Sequence, residues 1–197
     1  MTNSTNDLSV PERILMVATR LFYRQGYHST GINQLIAESG VAKASFYSHF
    51  PGKEDVLVEY MRRMASNEIN ELRGACRLGA NARERFFAPL NAIRPWFHET
   101  DYRGCPFQNI VAEAPTDNPQ VIAVLRQHRE NLKALVTELL WDLIREEPNL
   151  RRLDPPAVVA SYLLVLEGAI ALGVAYREPW PIEAAIRTME LSLSPSS

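Results

Sequence analysis

The sequence predicts an all-α protein, and three observations support that fold class. Apolar residues recur at helical spacing along nearly the whole chain, whereas no stretch of useful length alternates as a β-strand would. Helix breakers such as Pro51-Gly52 separate the helical stretches. The 197-residue chain is 46% hydrophobic, which is enough for a packed core and excludes a wholly disordered chain.

Three short helices are predicted near the start of the chain. Residues 9–12, Ser-Val-Pro-Glu, form a capping box with proline in the first turn, and the helix that they open ends at Gly26. Its apolar stripe consists of Ile14, Val17, Ala18, Leu21 and Phe22. Thr30 is the expected N-cap of a second helix over residues 32–39, and a third helix covers residues 42–49.

Longer helices are predicted over the rest of the chain. Pro89 and Pro95 predict a kink or a split in one of them. The breaker-rich segment 115–119 separates two others. The predicted helices cover residues 53–73, 82–98, 105–114, 120–147, 157–176 and 182–193.

The helix over residues 157–176 is long and apolar enough to cross a bilayer. We expect a helix buried on all sides within protein instead, because its single charge, Glu167, would lie mid-bilayer at a cost of roughly 2.5–3.5 kcal/mol or more. Cys76 and Cys105 are too few for a disulfide framework, and the N-terminus lacks the pattern of a secretion signal. We therefore expect a cytoplasmic protein without a membrane partner.

Positive charge is concentrated near the N-terminus. The net charge of −2 argues against a general polyanion binder. Residues 1–63 nevertheless carry seven basic and six acidic side chains, so the remainder of the chain is the more acidic part. This distribution fits a protein whose small N-terminal part contacts nucleic acid and whose larger part does something else.

Residues 41–53 form the most informative segment. They include two lysines, a histidine and a tyrosine but no carboxylate, and Gly40 separates them from the preceding short helix. Two short helices joined by a tight glycine turn, the second without negative charge, suit the DNA major groove. Phosphates repel carboxylates there and accept hydrogen bonds from Lys, Tyr and Ser.

The pattern of residues 12–58 resembles the DNA-binding domain of TetR-type transcriptional repressors. The matching positions are Gly26-Tyr27 with Thr30, Ile36-Ala-Glu-Ser-Gly-Val-Ala-Lys43, and Phe46-Tyr-Ser-His-Phe-Pro-Gly-Lys-Glu54. The resemblance implies a helix-turn-helix DNA-binding domain over residues 1–55 and a helical effector-binding and dimerisation domain over residues 56–197. It also implies a homodimeric, nucleoid-associated repressor that a small molecule releases from a palindromic operator.

The same resemblance implies which residues contact the double-stranded DNA operator. They are Thr30, Lys43, Ala44, Ser45, Tyr47, His49 and Lys53, and Ser48 joins them because its hydroxyl can reach a base edge. Singly, Lys43 fits a solvated surface lysine and Tyr47 a half-buried core tyrosine, so the combination carries the prediction. Ala42 departs from the family's usual Ser or Thr, which predicts a recognition helix without a side-chain N-cap.

Gly104-Cys-Pro-Phe-Gln-Asn109 is similar to the Gly-Cys-x-x-x-Asn motif of one subgroup, in part of which the cysteine responds to electrophiles or oxidants. Cys105 near a helix N-terminus would have a lowered thiolate pKa, as such sensing requires. The other interpretation is a small buried hydrophobic residue beside a pocket. Pro106 and the absence of an adjacent Lys or His favour the second interpretation.

Several aromatic residues lie in the helices that, by resemblance, surround the effector cavity. Together with polar anchors they predict a pocket for an apolar or aromatic small molecule, although each aromatic alone fits a core residue. The predicted effector-binding residues are Trp96, Phe97, Tyr102, Cys105, Phe107, Asn109, Glu113, Trp141 and Tyr162, with Arg94 as a further anchor.

The apolar helix over residues 157–176 and the last helix would pair with their twofold mates in a four-helix interface. Small residues at that interface would allow close backbone approach. The predicted interface residues are Ala160, Leu164, Gly168, Ala171, Leu172, Ile186 and Met189.

Other function classes have little support in the sequence. The four histidines are scattered, and no HExxH, CxxC or GxSxG motif occurs, so an enzyme, a metal site or a cofactor is not expected. A helical protein-interaction adaptor that does not bind DNA is the alternative function.

Overall fold

A computed structural model describes residues 8–113 and 118–194, and within these ranges the chain forms α-helices and one 3-10 helix, without strands. The all-α prediction is confirmed. The α-helices are α1 (Val10–Gln25), α2 (Ile32–Ser39), α3 (Lys43–His49), α4 (Lys53–Arg77), α5 (Ala82–Asn91), α6 (Ile93–Glu99), α7 (Pro106–Glu113), α8 (Pro119–Glu146), α9 (Pro155–Tyr176) and α10 (Trp180–Leu193). The 3-10 helix is Pro148–Arg152.

The chain divides into two compact units. The first contains the described residues up to Ser66 together with Pro106–Gln127, and the second contains Asn67–Cys105 and the described residues from His128 onward. The predicted domain boundary between residues 55 and 56 lies inside α4. The division between the two compact units also lies in this helix, between Ser66 and Asn67.

The core of the first unit forms where α1, α2 and α3 pack together. Ile14, Leu35 and Phe46 are fully buried there, one from each helix. Phe22 packs edge-on against Tyr60 of α4, with ring centroids 5.5 Å apart. At the start of α1, the Ser9 backbone N–H donates to Glu12 Oε2 at 2.9 Å, as the predicted capping box requires.

The core of the second unit contains α5, α6, α9 and α10, and α9 packs most extensively against α10. Phe86 of α5 and Tyr162 of α9 are fully buried and meet edge-on, with centroids 5.0 Å apart. The buried Tyr162 hydroxyl donates to the Phe86 carbonyl oxygen at 2.9 Å. The hydrogen bond satisfies the polar end of an otherwise apolar contact.

Some helix boundaries differ from the prediction. The predicted helix over residues 82–98 is split, as one of the two expected outcomes, but the break lies at Ala92 rather than at a proline, and Pro89 lies inside α5. The helix α4 continues four residues beyond the predicted end, to Arg77. The segment 115–117 of the predicted breaker region lies outside the described residues.

The helix α9 is apolar and only partly buried. It is the one described helix long and apolar enough to span a membrane, and its most apolar 18-residue window has a mean hydropathy of 2.1 with 33% of that window buried. Leu164 is 74% exposed and Leu172 is 42% exposed. The prediction of burial on all sides was therefore wrong for the single chain, because only the face toward α10 and its neighbours is covered.

Candidate nucleic-acid interface

The short helix α3 presents a polar face to solvent and an apolar face to the core. Phe46 is fully buried, and Phe50, just beyond the helix, is 7% exposed. The opposite side carries exposed side chains and the half-buried Ser45, and it has no carboxylate. The exposed residues are Lys43, Ala44, Tyr47, Ser48 and His49.

Local contacts hold this face in place. The Tyr47 ring packs edge-on against Phe46 at 5.4 Å between centroids, which anchors the ring while Tyr47 stays 42% exposed. Ser48 Oγ donates to the Ser45 carbonyl oxygen at 2.8 Å. Ala42 is the N-cap of α3 and makes no side-chain hydrogen bond, as expected.

Arg13 of α1 fixes the turn that leads into α3. Its Nε and Nη2 donate to the Ser39 carbonyl oxygen at 3.1 and 2.7 Å, and Nη2 also donates to the Gly40 carbonyl oxygen. These bonds satisfy carbonyls at the C-terminus of α2, where a cation is also favoured by the helix dipole. Gly40 adopts a left-handed conformation with φ of 62°, which glycine tolerates at no steric cost. No local signal in the sequence connects Arg13 to a turn 26 residues away.

Two predicted DNA-contacting residues are engaged inside the protein instead. Thr30 is fully buried and donates its hydroxyl to the Gly26 carbonyl oxygen at 2.8 Å. Its side chain therefore cannot contact DNA, and it is not the N-cap of α2, which is Gly31. Lys53 Nζ donates to the carbonyl oxygens of Tyr27 and Thr30, each at 3.1 Å, so its ammonium is not a free phosphate-binding group.

The surroundings of Lys53 are both apolar and acidic. Its ammonium lies over the Tyr27 ring, 4.1 Å from the centroid, in a cation–π contact. Partial burial lowers the pKa of Lys53, and the nearby Glu113 carboxylate acts in the opposite direction. Lys53 thus stabilises the turn between α1 and α2.

Part of the predicted effector set lies around one small cavity in the second unit. The cavity has a volume of about 260 Å³ and is lined by Arg94, Phe97, His98, Tyr102, Pro179 and Ile182. The rings of Phe97 and Tyr102 stack with centroids 4.9 Å apart. Trp96 also stacks with Phe97, with centroids 5.2 Å apart. Asp101 and Tyr102 have positive φ angles of 49° and 57°, which turn the chain sharply beside the cavity.

Other predicted effector residues do not join this cavity. Trp141 is 51% exposed on α8, so it does not line an enclosed pocket. Phe107, Asn109 and Glu113 belong to the first unit, and the Glu113 carboxylate contacts the turn after α1. Three further residues are buried in the core, namely Cys105, Phe107 and Tyr162. The Tyr162 hydroxyl donates its hydrogen bond to the Phe86 carbonyl oxygen.

His98, Pro179 and Ile182 line the cavity but were not predicted to do so. They come from α6 and from the start of α10, which are more than 80 residues apart in sequence. Only the folded contact between these segments brings them together, so sequence periodicity held no signal for them.

A polar cluster crosses the second unit from α4 to α9. His128 Nε2 of α8 is 3.7 Å from Glu68 Oε2 of α4, and Arg129 forms an ion pair with Glu167 of α9. Burial raises the pKa of Glu68 to about 7, although Arg129 opposes the shift. Burial likewise lowers the pKa of His128 to about 4, and Arg129 adds to that shift. Near pH 7 the histidine is therefore neutral and Glu68 is close to its midpoint of titration.

The exposed face of α9 is apolar and includes several small residues. Leu164, Leu172, Ala160 and Ala171 are exposed, and a Cβ added to Gly168 would meet no atom within 4 Å. Met189 of α10, in contrast, is fully buried within its own chain and cannot contribute to an interface, which corrects that prediction. Ile186 is half-buried.

Two protein-family models match the chain. The model for bacterial regulatory proteins of the tetR family matches residues 14–60, and the model for the tetracyclin repressor-like C-terminal domain matches residues 82–189. The chain belongs to the TetR family. Residues 43–49 with their exposed basic and polar side chains lie within the first match, so the TetR helix-turn-helix and the candidate DNA-binding face coincide.

Individual TetR-family relatives agree with this assignment. The HTH-type transcriptional regulator LmrA of Bacillus subtilis is 39% identical over 106 residues, which are 52% of this chain and 55% of LmrA. The chain therefore spans about half the length of that relative. The HTH-type transcriptional repressor DhaR of a Mycobacterium species is 23% identical over 194 residues, 95% of this chain and 94% of DhaR.

Solved structures show the same fold. A TetR-family transcriptional regulator from Streptomyces coelicolor superposes with a TM-score of 0.80 at 30% identity, covering 98% of this chain and 90% of that one. The reduced form of Escherichia coli NemR gives a TM-score of 0.81 at 21% identity, covering 95% of this chain and 99% of that one. The second similarity supports the fold alone.

Proposed function

We propose that this TetR-family protein is a ligand-responsive DNA-binding transcriptional regulator, and specifically a repressor that a small molecule releases from a palindromic operator. The observation that carries the proposal is the carboxylate-free face of α3. Lys43 supplies a charge for a phosphate, and Ser45 and Ser48 are short enough to reach base edges. Family membership favours DNA binding over the adaptor alternative.

We propose that the protein binds DNA as a homodimer formed through α9 and α10. The exposed apolar face that includes Leu164 and Leu172 is costly to leave in water, and pairing with a twofold mate would cover it. A dimer would present two α3 helices to half-sites about one helical turn apart, roughly 34–36 Å. Such a protein would act in the cytoplasm at the nucleoid.

The cavity beside Phe97 and Tyr102 is the proposed effector site. Its stacked aromatic rings suit an apolar or aromatic molecule, and Arg94 offers a polar anchor, although its guanidinium also donates to Glu183 at 2.8 Å. Burial of Cys105 supports a core role for this thiol over a sensing role, since a reactive thiolate needs access. We also propose that the chain belongs to the Gly-Cys-x-x-x-Asn subgroup, on the match of Gly104, Cys105 and Asn109.

A gel-shift titration tests the function directly. A labelled duplex that the protein selects from a random-sequence library should shift at roughly nanomolar protein, and unlabelled copies of that duplex should compete far better than unrelated DNA of equal length. Equal competition by both DNAs would contradict a sequence-specific regulator. Absence of any shift at low salt would instead favour the adaptor.

A further inference from the structure

The turn between α1 and α2 is contacted by the last residue of α7. Glu113 Oε2 accepts a hydrogen bond from the backbone N–H of His28 at 3.2 Å. The same carboxylate lies against Gly26, where an added Cβ would be 2.7 Å from Oε2 and 2.8 Å from Oε1. Any larger residue at position 26 would therefore displace Glu113.

Gly26 meets a second requirement at this place. Its φ of 93° is a conformation that side chains disfavour, so glycine both allows the chain to turn after α1 and leaves room for the carboxylate. The Thr30 hydroxyl, which donates to the Gly26 carbonyl oxygen, closes the turn from the other end.

Charge connects Glu113 to the lysine that holds the same turn. The Glu113 carboxylate raises the pKa of Lys53, against the effect of burial, and Lys53 Nζ donates to the Tyr27 and Thr30 carbonyl oxygens. The Glu113 carboxylate thus binds a backbone N–H of this turn, and the Lys53 ammonium binds two of its backbone carbonyl oxygens. We call Gly26, His28, Lys53 and Glu113 the turn clamp.

The helix that carries Glu113 has a particular place in the chain. It begins at Pro106, immediately after Cys105, where the chain passes from the second compact unit to the first. A further contact lies just beyond it, because Asn118 Nδ2 donates to Glu54 of α4 and Asn118 Oδ1 accepts from the Gln120 backbone N–H at 2.9 Å. Glu113 therefore contacts the turn between α1 and α2, and Asn118 contacts the first turn of α4.

We propose that Glu113 is a positioning residue for DNA binding. Its carboxylate holds the turn that leads into α2, and thereby fixes the placement of α2 and α3 without touching DNA. A shift of α7 would reach the recognition helix through this contact. The inference rests on the proposed DNA-binding function and names a residue through which that function would be controlled.

The test compares Glu113→Ala, Glu113→Gln and wild type. Glu130→Ala, which removes an exposed carboxylate of α8, is the control. Hydrogen exchange of the His28 amide reports on the contact itself. The affinity and its salt dependence are measured on a duplex that wild-type protein selects from a random-sequence library.

For Glu113→Ala we expect His28 exchange to be faster by roughly tenfold, the factor for one lost hydrogen bond to a charged acceptor. Affinity should weaken by about three- to tenfold with an unchanged slope of log affinity against log salt, because no phosphate contact is lost. Glu113→Gln keeps an acceptor and should recover most of both effects, and Glu130→Ala should match wild type.

Three results would overturn the inference. His28 exchange at the wild-type rate in Glu113→Ala would show that the contact does not hold the turn. Wild-type affinity of that variant, on a duplex that the wild type binds, would refute its role in positioning α3 while leaving the proposed function intact. A flattened salt slope would show an electrostatic effect on phosphate contacts instead. Selection of no duplex by the wild type would refute the proposed function itself, and His28 exchange would still report on the clamp.

Discussion

Replacing Lys53 by alanine should destabilise the DNA-binding unit rather than remove a phosphate contact. The ammonium makes two hydrogen bonds of 3.1 Å, to the carbonyl oxygens of Tyr27 and Thr30, and lies 4.1 Å from the Tyr27 ring centroid. Hydrogen bonds to charged groups contribute about 1.5–3 kcal/mol each, and an exposed cation–π contact about 0.5–1 kcal/mol. Because the side chain is only partly buried, solvent replaces some of these interactions, and we expect a loss of about 2–3 kcal/mol.

Thermal unfolding followed by circular dichroism measures this loss. A protein of this size loses about 2–4 °C of Tm per kcal/mol, so Lys53→Ala should unfold roughly 5–10 °C below wild type. Lys43→Ala is the matched control, since Lys43 is exposed on α3 and its removal should leave Tm within about 1–2 °C. An unchanged Tm in Lys53→Ala together with a flattened salt dependence of DNA binding would refute the structural role and restore Lys53 as a phosphate-contacting residue.

Two further predictions concern the second unit. The pKa of Glu68 is raised from 4.5 to about 7, so the protonated acid is favoured by folding and stability is lost as pH rises from about 4.5 to 7. This pKa shift corresponds to a loss of at most roughly 3 kcal/mol in the free energy of unfolding. Because solvent screens the partly exposed side chain, we expect a loss of about 1–2 kcal/mol. Glu68→Gln should therefore have a higher Tm than wild type at pH 8 and a nearly equal Tm at pH 4.5, and equal differences at both pH values would contradict this. Leu164→Asp should sediment as a monomer under conditions where wild type and the control Leu78→Asp, which changes another exposed leucine, sediment as dimers; a dimeric Leu164→Asp would place the interface elsewhere.

The helices were predictable from sequence because their signals are local. The capping box at Ser9, the turn at Gly40 and the apolar period of each helix depend on residues within a few positions, and the structure has helices at all these places. The exposed face of α3 was predictable for the same reason, since Phe46 and Phe50 set which side is buried.

The roles of individual polar residues were less predictable, because they depend on contacts distant in sequence. Thr30 and Lys53 carry the residue types expected of DNA contacts, but their polar atoms bind Gly26, Tyr27 and Thr30 inside the unit. The family resemblance predicts Glu113 in the effector pocket, whereas its carboxylate lies at a turn 85 residues earlier in the chain. No periodicity encodes such pairings.

The salt dependence of DNA binding by wild type and Lys43→Ala shows whether α3 docks on DNA. Equilibrium titrations of a wild-type-selected duplex between about 50 and 200 mM salt give the slope of log affinity against log salt, which is about −0.9 per neutralised phosphate. We predict that Lys43→Ala binds more weakly and that its slope is flatter by about 0.9 for each α3 helix in the complex. An unchanged affinity and slope would contradict the docking of α3 on DNA.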